Sequence, residues 1–281
     1  MRENRLMKIT IGHSPDADDA FMFYALARQR IPTGDLEVTH VLQDIETLNR
    51  RAMKGELEVT AVSVHAYAYL ADRYALLPCG ASMGDGYGPR LVARAPMTRE
   101  ALAGKVIAIP GTMTSAALAL RLFLPDFEAR VVPFDRILEA VRDGAADAGL
   151  VIHEGQLTFP EAGLHLITDL GAWWKRETGL PLPLGVNAVR RDLGASRMSE
   201  LSRLLRASID FALEHRADAL DYALEWARGL DRGVADEFVG MYVNSWTQDL
   251  GEQGRQAVRL FLQRGFEAGA LPASIEPEFV S

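Results

Sequence analysis

The chain has little cysteine, no excess of basic residues and no long apolar run. Among its 281 residues Cys79 is the single cysteine, so no intrachain disulfide can form, and this composition fits a reducing compartment. No apolar run approaches the ~20 residues that span a bilayer. The 38 acidic residues outnumber the 30 basic ones and give a net charge of −8, which argues against a nucleic-acid or anionic-membrane partner.

Several enzyme signatures are also missing from the sequence. It has no G-x-x-x-x-G-K-[ST] phosphate loop, no G-x-G-x-x-G after a strand and no H-E-x-x-H zinc motif. The first seven residues are charged and lack both an apolar core and a small-residue cleavage site. We therefore expect a cytoplasmic protein with a small-molecule ligand.

Apolar runs and helical periodicity predict strands that alternate with helices. In the first half, strands are expected at 8–12, 36–42 and 59–64, and helices at 18–28, 45–54 and 65–72. Asp44 is the expected N-cap of the second helix, and Gly55 ends it. After a connecting strand at 91–94, a second series predicts strands at 106–109, 129–133 and 148–152, with helices at 114–124 and 135–142. A strand at 184–189 and helices at 199–214, 217–227, 235–243 and 252–268 complete the chain.

Two βα series that each start over predict two lobes with parallel strands. Crossings near 90–95 and 184–190 give a discontinuous first lobe at 1–92 plus 188–281 and an inserted α/β lobe at 93–187. Two lobes that close on a cleft by hinge motion form the architecture of type 2 periplasmic binding proteins, and we expect this α/β fold. The apolar stripes of the C-terminal helices fit either a homodimer or packing on the first lobe.

A histidine follows one of the predicted buried strands. The run Gly149-Leu150-Val151-Ile152 leads directly into His153. Open α/β sheets bind ligands beyond the carboxyl ends of their strands. Because the ordinary pKa of a histidine is about 6.5, a histidine at such an end is a candidate general base. An equally weighted alternative is a histidine that satisfies a buried polar network.

Ser14 follows the first strand, at the start of the first helix, where backbone N–H groups bind polar ligand groups. Capping by Ser14 or Asp16 is the commoner role at such a position. Asp16, Asp18 and Asp19 resemble a metal cluster, but only His13 lies beside them in the sequence, so we expect no metal site.

Two further segments supply hydroxyl groups at strand ends. Ser63, after Ala61 and Val62, would share a sheet edge with Ser14 and either contact a ligand or cap the next helix. Thr112, Met113 and Thr114 lie in the turn at 110–115, where hydroxyls and N–H groups bind a carboxylate without lysine or arginine, or simply cap the helix. Strands from facing lobes would aim Ser63 and Thr114 at one cleft, which favours ligand contact.

Several sequence blocks together resemble the 1,4-dihydroxy-6-naphthoate synthase family of the futalosine route to menaquinone. They are Ser14-Pro15 through Phe21-Met22-Phe23-Tyr24-Ala25-Leu26, Asp44-Ile45-Glu46-Thr47-Leu48-Asn49-Arg50, Asp135-Arg136-Ile137-Leu138, Gly149-Leu150-Val151-Ile152-His153-Glu154, and Asp169-Leu170-Gly171-Ala172-Trp173-Trp174 through Thr178-Gly179-Leu180-Pro181-Leu182-Pro183-Leu184-Gly185. Many members have Ser-Pro-Cys-Pro-Asn-Asp-Thr-Phe where this chain carries Asp16, Ala17, Asp18 and Ala20.

The resemblance implies a periplasmic-binding-protein fold used as a cytoplasmic, cofactor-independent carbon–carbon lyase. The implied reaction converts cyclic de-hypoxanthine futalosine to 1,4-dihydroxy-6-naphthoate and releases dihydroxyacetone. The implied proton acceptor falls on His153, and the implied substrate contacts fall on residues that end strands or begin a helix: Ala61, Val62, Ser63, Met113 and Thr114. The alternatives are chorismate dehydratase, against which the Asp-Leu-Gly-Ala-Trp-Trp block at 169–174 argues, and a non-catalytic solute-binding protein or cytoplasmic sensor.

Overall fold

Two β-sheets form the framework of the chain in the computed structural model, which describes residues 6–226 and 230–281. The strands are, in chain order, β1 (Met7–His13), β2 (Leu36–Leu42), β3 (Val59–Ser63), β4 (Tyr74–Leu76), β5 (Ser82–Gly84), β6 (Arg90–Ala93), β7 (Val106–Ile109), β8 (Glu128–Val131), β9 (Ala148–Val151), β10 (His165–Asp169) and β11 (Leu182–Arg190). The helices are α1 (Ala17–Ala27), α2 (Ile45–Met53), α3 (Val64–Tyr67), α4 (Ser115–Phe123), α5 (Ile137–Arg142), α6 (Gly155–Thr158), α7 (Leu170–Thr178), α8 (Ala195–Glu214), α9 (Arg216–Leu224), α10 (Arg232–Tyr242), α11 (Ser245–Gln248) and α12 (Gly251–Glu267).

Both sheets combine parallel and antiparallel strands. The first has the order β2-β1-β3-β11-β4, with β5 also paired to β11, and the second has the order β10-β6-β9-β7-β8. Strands β1, β2 and β3 are parallel, as are β7, β8 and β9, which confirms the two predicted βα series. The connecting strand β6 is antiparallel to β9, and β11 is antiparallel to β3.

The chain passes between the sheets twice. Strands β1–β5 belong to the first sheet, β6–β10 to the second, and β11 returns to the first. The predicted boundaries after residues 92 and 187 fall inside β6 and β11, because both crossing segments pair as strands. The division into lobes at those residues stays a prediction.

Local signals explain where several elements begin and end. Asp44 Oδ1 accepts a hydrogen bond from Thr47 N–H at 3.0 Å, and Gly55 has a φ of +68°, so the predicted cap and stop of α2 are confirmed. The predicted helix at 65–72 is wrong, because α3 ends at Tyr67. The N–H groups of Arg73 and Tyr74 both donate to Leu70 O at 2.9 Å, and this turn directs the chain into β4.

Three of the C-terminal helices pack around the first helix. Helices α8, α9 and α10 pack around α1, whose residues from Ala17 to Leu26 are all buried. Packing within the chain therefore accounts for their apolar faces, and the homodimer stays a prediction. The predicted end of α9 at Ala227 lies outside the described residues. In 6–226 and 230–281, the helices are all too short or too polar to cross a bilayer.

Candidate functional site

A cavity of about 110 Å³ lies where strand ends from both sheets meet. Its wall contains groups from the first sheet, the second sheet and the start of α4: Ser14, Ala61, Ser63, Thr114, Ser115, Ala116 and Ile152. The carboxyl ends of parallel strands are the usual ligand site of open α/β sheets. A second cavity of about 640 Å³ is lined by helix and loop residues and by no strand end, so we take the first as the candidate site.

The structure brings together four of the predicted site residues: Ser14, Ala61, Ser63 and Thr114 all line the first cavity. Thr112 and Met113 line the second cavity instead, beside His65. Val62 is buried in the core. Ligand contact by any predicted residue stays a prediction.

Ser63 and Thr114 use their hydroxyl groups differently. Thr114 Oγ1 accepts from Ala117 N–H at 3.2 Å and donates to Gly111 O at 3.1 Å, so this hydroxyl is the N-cap of α4. Ser63 Oγ accepts from Asn49 Nδ2 at 3.1 Å, and this is its one hydrogen bond within the described part of the chain. The hydrogen of the Ser63 hydroxyl is thus available to a ligand.

The start of α4 adds backbone donors to the same wall. Ser115 and Ala116 line the cavity, and their N–H groups precede the first intrahelical hydrogen bond. The Ser115 hydroxyl is used within the protein, since it donates to Leu184 O at 2.6 Å and accepts from His65 N–H at 3.2 Å. Backbone N–H groups at a helix start suit a carboxylate or an oxyanion.

Carboxyl groups form another part of the wall. Burial, and then the neighbouring carboxylates of Asp19, Asp16 and Glu154, raise the pKa of Asp18 well above its ordinary value. Burial also raises the pKa of Asp19 to about 7, although the Ser14 N–H, 2.7 Å from Asp19 Oδ2, lowers it in part. Near neutral pH these groups can hold protons, so they can accept or donate hydrogen bonds to a ligand.

Asn187 supplies a neutral acceptor on β11. Its Nδ2 donates to Gly80 O at 2.8 Å, which fixes the orientation of the amide. Its Oδ1 is buried and has no donor among residues 6–226 and 230–281. Because Asn187 lines the cavity, this oxygen can accept a hydrogen bond from a ligand hydroxyl.

His153 directly follows a residue of the cavity wall. It follows Ile152, which lines the cavity, but the imidazole itself is not part of the wall. Its ring meets Phe134 edge to face, with centroids 5.3 Å apart. A side chain at Gly155 would come within 2.9 Å of His153 Cε1, so the glycine leaves room for the ring. The catalytic role of His153 stays a prediction.

His13 contacts two other rings. Its ring stacks on Phe23 with centroids 4.4 Å apart, and its Nε2 lies 3.1 Å from His40 Nδ1. Burial lowers the pKa of His13 to about 3 and that of His40 to about 4, so both rings are neutral. Among the residues described, no three His, Cys, Asp or Glu side chains are placed to hold a metal ion.

A G-x-S-x-G pattern at 80–84 is not a nucleophile elbow. That motif needs its serine on a sharp turn between a strand and a helix. Ser82 instead begins β5, and its Oγ donates to Asp18 Oδ2 at 3.4 Å rather than to a histidine.

Two residues of α2 connect the sheets, and sequence reasoning missed both. Glu46 Oε2 accepts from Met113 N–H at 3.0 Å, and Asn49 Nδ2 donates to Met113 O at 3.4 Å. Gly111 packs directly on Glu46, since a Cβ at Gly111 would lie 2.3 Å from Glu46 Oε2. The available signal was spacing: Glu46 and Asn49 are three residues apart, so they share one helix face with each other.

Comparison with known proteins identifies the family. A model of proteins of menaquinone biosynthesis matches residues 9–267. The 1,4-dihydroxy-6-naphthoate synthase of Thermus thermophilus is 43% identical over 97% of this chain and 99% of its own length. The chain belongs to the 1,4-dihydroxy-6-naphthoate synthase family. The predicted resemblance, and with it an enzyme of menaquinone biosynthesis, is confirmed.

Solved structures agree with the fold. A crystal structure of a protein from Archaeoglobus fulgidus superposes with a TM-score of 0.90 at 48% identity, covering 96% of this chain and 99% of that one. The alkanesulfonate-binding protein of Xanthomonas axonopodis, bound to MOPS, superposes with a TM-score of 0.74 at 15% identity, covering 96% of each chain. This second likeness shows the fold alone, and the predicted periplasmic-binding-protein fold is confirmed.

Proposed function

We propose that this member of the family converts cyclic de-hypoxanthine futalosine to 1,4-dihydroxy-6-naphthoate, with His153 as the general base. The observation that supports the activity most strongly is the 43% identity to the Thermus thermophilus synthase over nearly the whole chain. The relatives from Thermus thermophilus and Streptomyces coelicolor are both 1,4-dihydroxy-6-naphthoate synthases, which favours this activity over chorismate dehydratase. The likeness to solute-binding proteins extends to the fold only.

In this mechanism His153 takes a proton from the substrate and starts a retro-aldol-like fragmentation. A carbon–carbon bond breaks, the naphthalene ring becomes aromatic, and the sugar-derived fragment leaves as dihydroxyacetone. The Ser63 hydroxyl and the N–H groups at the start of α4 hold the substrate carboxylate or a developing oxyanion. Asn187 and the carboxyl groups of Asp18 and Asp19 hold the hydroxyls of the sugar-derived part.

Substrate entry requires the cavity walls to separate. Its volume of about 110 Å³ is smaller than the roughly 300–1,000 Å³ typical of ligand pockets. Parting of the two sheets about their crossing strands would admit substrate, and closure would bring His153 to the reacting atoms and exclude water. A cytoplasmic location belongs to this proposal, and the single, buried Cys79 is compatible with it.

The test is an anaerobic incubation with cyclic de-hypoxanthine futalosine, in which 1,4-dihydroxy-6-naphthoate is measured by mass spectrometry. We expect product from the wild type, and a fall of about 10²-fold or more for His153→Ala and His153→Asn. Asp19→Asn is the matched comparison, because it removes another titratable group of the site. Full turnover by a folded His153→Ala protein would refute the base, and absence of product from the wild type would refute the activity.

A further inference from the structure

We propose that Asn49 is a positioning residue that makes the Ser63 hydroxyl a hydrogen-bond donor toward a substrate carboxylate. Because Asn49 also takes part in the contact between the two sheets, the orientation of this donor depends on that contact. The inference rests on the proposed function, because it concerns the same cavity. It starts from a side chain that does not line the cavity: Asn49 lies on α2 and is fully buried.

The hydrogen bonds of Asn49 fix the orientation of its amide. Its Oδ1 accepts from Ser63 N–H at 2.9 Å, and its Nδ2 donates to Ser63 Oγ at 3.1 Å and to Met113 O at 3.4 Å. A backbone N–H can only donate and a carbonyl can only accept. The backbone groups of Ser63 and Met113 therefore assign the oxygen and the nitrogen of this amide independently of each other.

This orientation determines what the Ser63 hydroxyl can do. Since Nδ2 must donate, Ser63 Oγ must accept, and its own hydrogen points elsewhere. Ser63 is 97% buried, lines the cavity and has no acceptor for that hydrogen within the described ranges. A buried donor without an acceptor destabilises the site, and an acceptor oxygen of the ligand removes this cost.

The surrounding donors indicate which oxygen is recognised. The N–H groups of Ser115 and Ala116 join the Ser63 hydroxyl on the cavity wall. No lysine or arginine of the described segments lines this cavity. Several neutral donors without an acceptor of their own suit an anionic, planar group, and a carboxylate fits that description.

Asn49 also takes part in the contact between the sheets. Its bond to Met113 O and the bond from Met113 N–H to Glu46 Oε2 hold both sides of one residue in the turn before α4. Because α2 packs against β3, separation of the sheets would break these bonds. The same amide would then lose one of the partners that hold it in place, so carboxylate recognition and closure are coupled.

The test measures binding of two probes that need no turnover, 2-naphthoate and its neutral analogue 2-naphthamide. Dissociation constants are determined for the wild type, Asn49→Ala, Ser63→Ala and the double variant. We expect each single variant to weaken 2-naphthoate binding about tenfold and 2-naphthamide binding less than about threefold. The double variant should be no more than about twofold weaker than the worse single variant, because both changes remove one donor.

A control and a second variant protect the test against loss of structure. Thr47→Ala removes the hydrogen bond from the Thr47 hydroxyl to Asp44 Oδ2 at the start of the same helix without touching the cavity, and its probe affinities should match those of the wild type. If Asn49→Ala unfolds, Asn49→Asp replaces it, since it keeps the acceptor for Ser63 N–H and removes the donor to Ser63 Oγ. This variant should also lose about tenfold or more in affinity for 2-naphthoate.

Three results would overturn the positioning role. They are a wild type that does not prefer the carboxylate probe, a folded Asn49 variant that binds it within twofold of the wild type, and single-variant effects that multiply in the double variant. Failure of the proposed function is distinguishable, because a wild type that forms no product but shows the non-additive pattern retains the positioning role.

Discussion

Replacement of Gly171 by alanine should disturb the cavity wall, although Gly171 lies on α7, a helix that does not line the cavity. Gly171 lies in the first turn of α7, directly against the backbone of Tyr87 and Gly88, which precede β6. An added Cβ would lie 1.8 Å from Tyr87 O, 2.2 Å from Tyr87 C and 2.7 Å from Gly88 N. All three are backbone atoms, so no side-chain rotation can relieve the contact.

The size of the effect follows from this geometry. A Cβ almost never lies closer than 3.0 Å to another heavy atom, so Tyr87 O would have to move away from the new Cβ by about 1.2 Å. Such overpacking costs about 1–3 kcal/mol. The bond from Leu170 N–H to Pro89 O, 2.9 Å long, would be strained as well and adds about 1 kcal/mol. An unfolding entropy of about 0.6 kcal/mol/K for a chain of 281 residues converts a total of about 2–4 kcal/mol into a melting temperature lower by roughly 3–7 °C.

The assay is thermal unfolding followed by circular dichroism, with Gly240→Ala as the matched control. Gly240 is an exposed position in α10, and a Cβ there would lie 3.7 Å from Arg216 Nη2, an ordinary contact. This control should gain about 0.5–1 kcal/mol, because alanine is the better helix former. Equal melting temperatures for Gly171→Ala and the wild type would refute the close approach of α7 to Tyr87. Since Pro89 lines the cavity, Gly171→Ala should also weaken 2-naphthoate binding.

Three further predictions concern other parts of the molecule. Gly111→Ala would place a Cβ 2.6 Å from Glu46 Cδ and should separate the sheets, so small-angle scattering should give a larger radius of gyration, and an unchanged curve would contradict this contact. Burial lowers the pKa of His40 to about 4, so its contribution to stability is complete above pH 6.5 and is lost as the pH falls toward 4. His40→Gln should therefore make the urea midpoint less dependent on pH across that window, and an equal slope would show that His40 does not titrate on unfolding. Burial raises the pKa of Cys79 to about 12, so its thiol should react with a disulfide reagent at pH 8 only after unfolding, and rapid labelling of the native protein would argue against its burial.

The elements that were predictable are those that local sequence determines. The apolar runs of β7 and β9, and the cap of α2 at Asp44, depend on neighbours within a few residues. Strands β4 and β5 were missed because three residues carry no periodicity, and pairing with distant segments, above all β11, makes them strands. The helix predicted at 65–72 failed because a turn into β4 overrides local helix propensity.

The site residues at strand ends were predictable, whereas the residues that connect the two sheets were not. Ser14, Ser63 and Thr114 were found because parallel strands end at one edge and helices begin there. Asn49 and Glu46 were missed because they act on residues more than ten positions away, which no local pattern encodes. The exact place of His153 relative to the cavity depends on ring packing against Phe134, and this too lies beyond sequence patterns.

The position of β11 in the first sheet sets the order in which the protein can be completed on the ribosome. This strand, Leu182–Arg190, lies between β3 and β4, so β3 keeps an unpaired edge until residue 190 has been synthesised. The second sheet draws its strands from the continuous segment 90–169 and can close earlier. A nascent chain therefore has a complete second sheet while its first sheet still has an unpaired edge at β3. Exposed edges of this kind promote pairing with other chains, so the open edge of β3 is a place where an incomplete chain can associate with another.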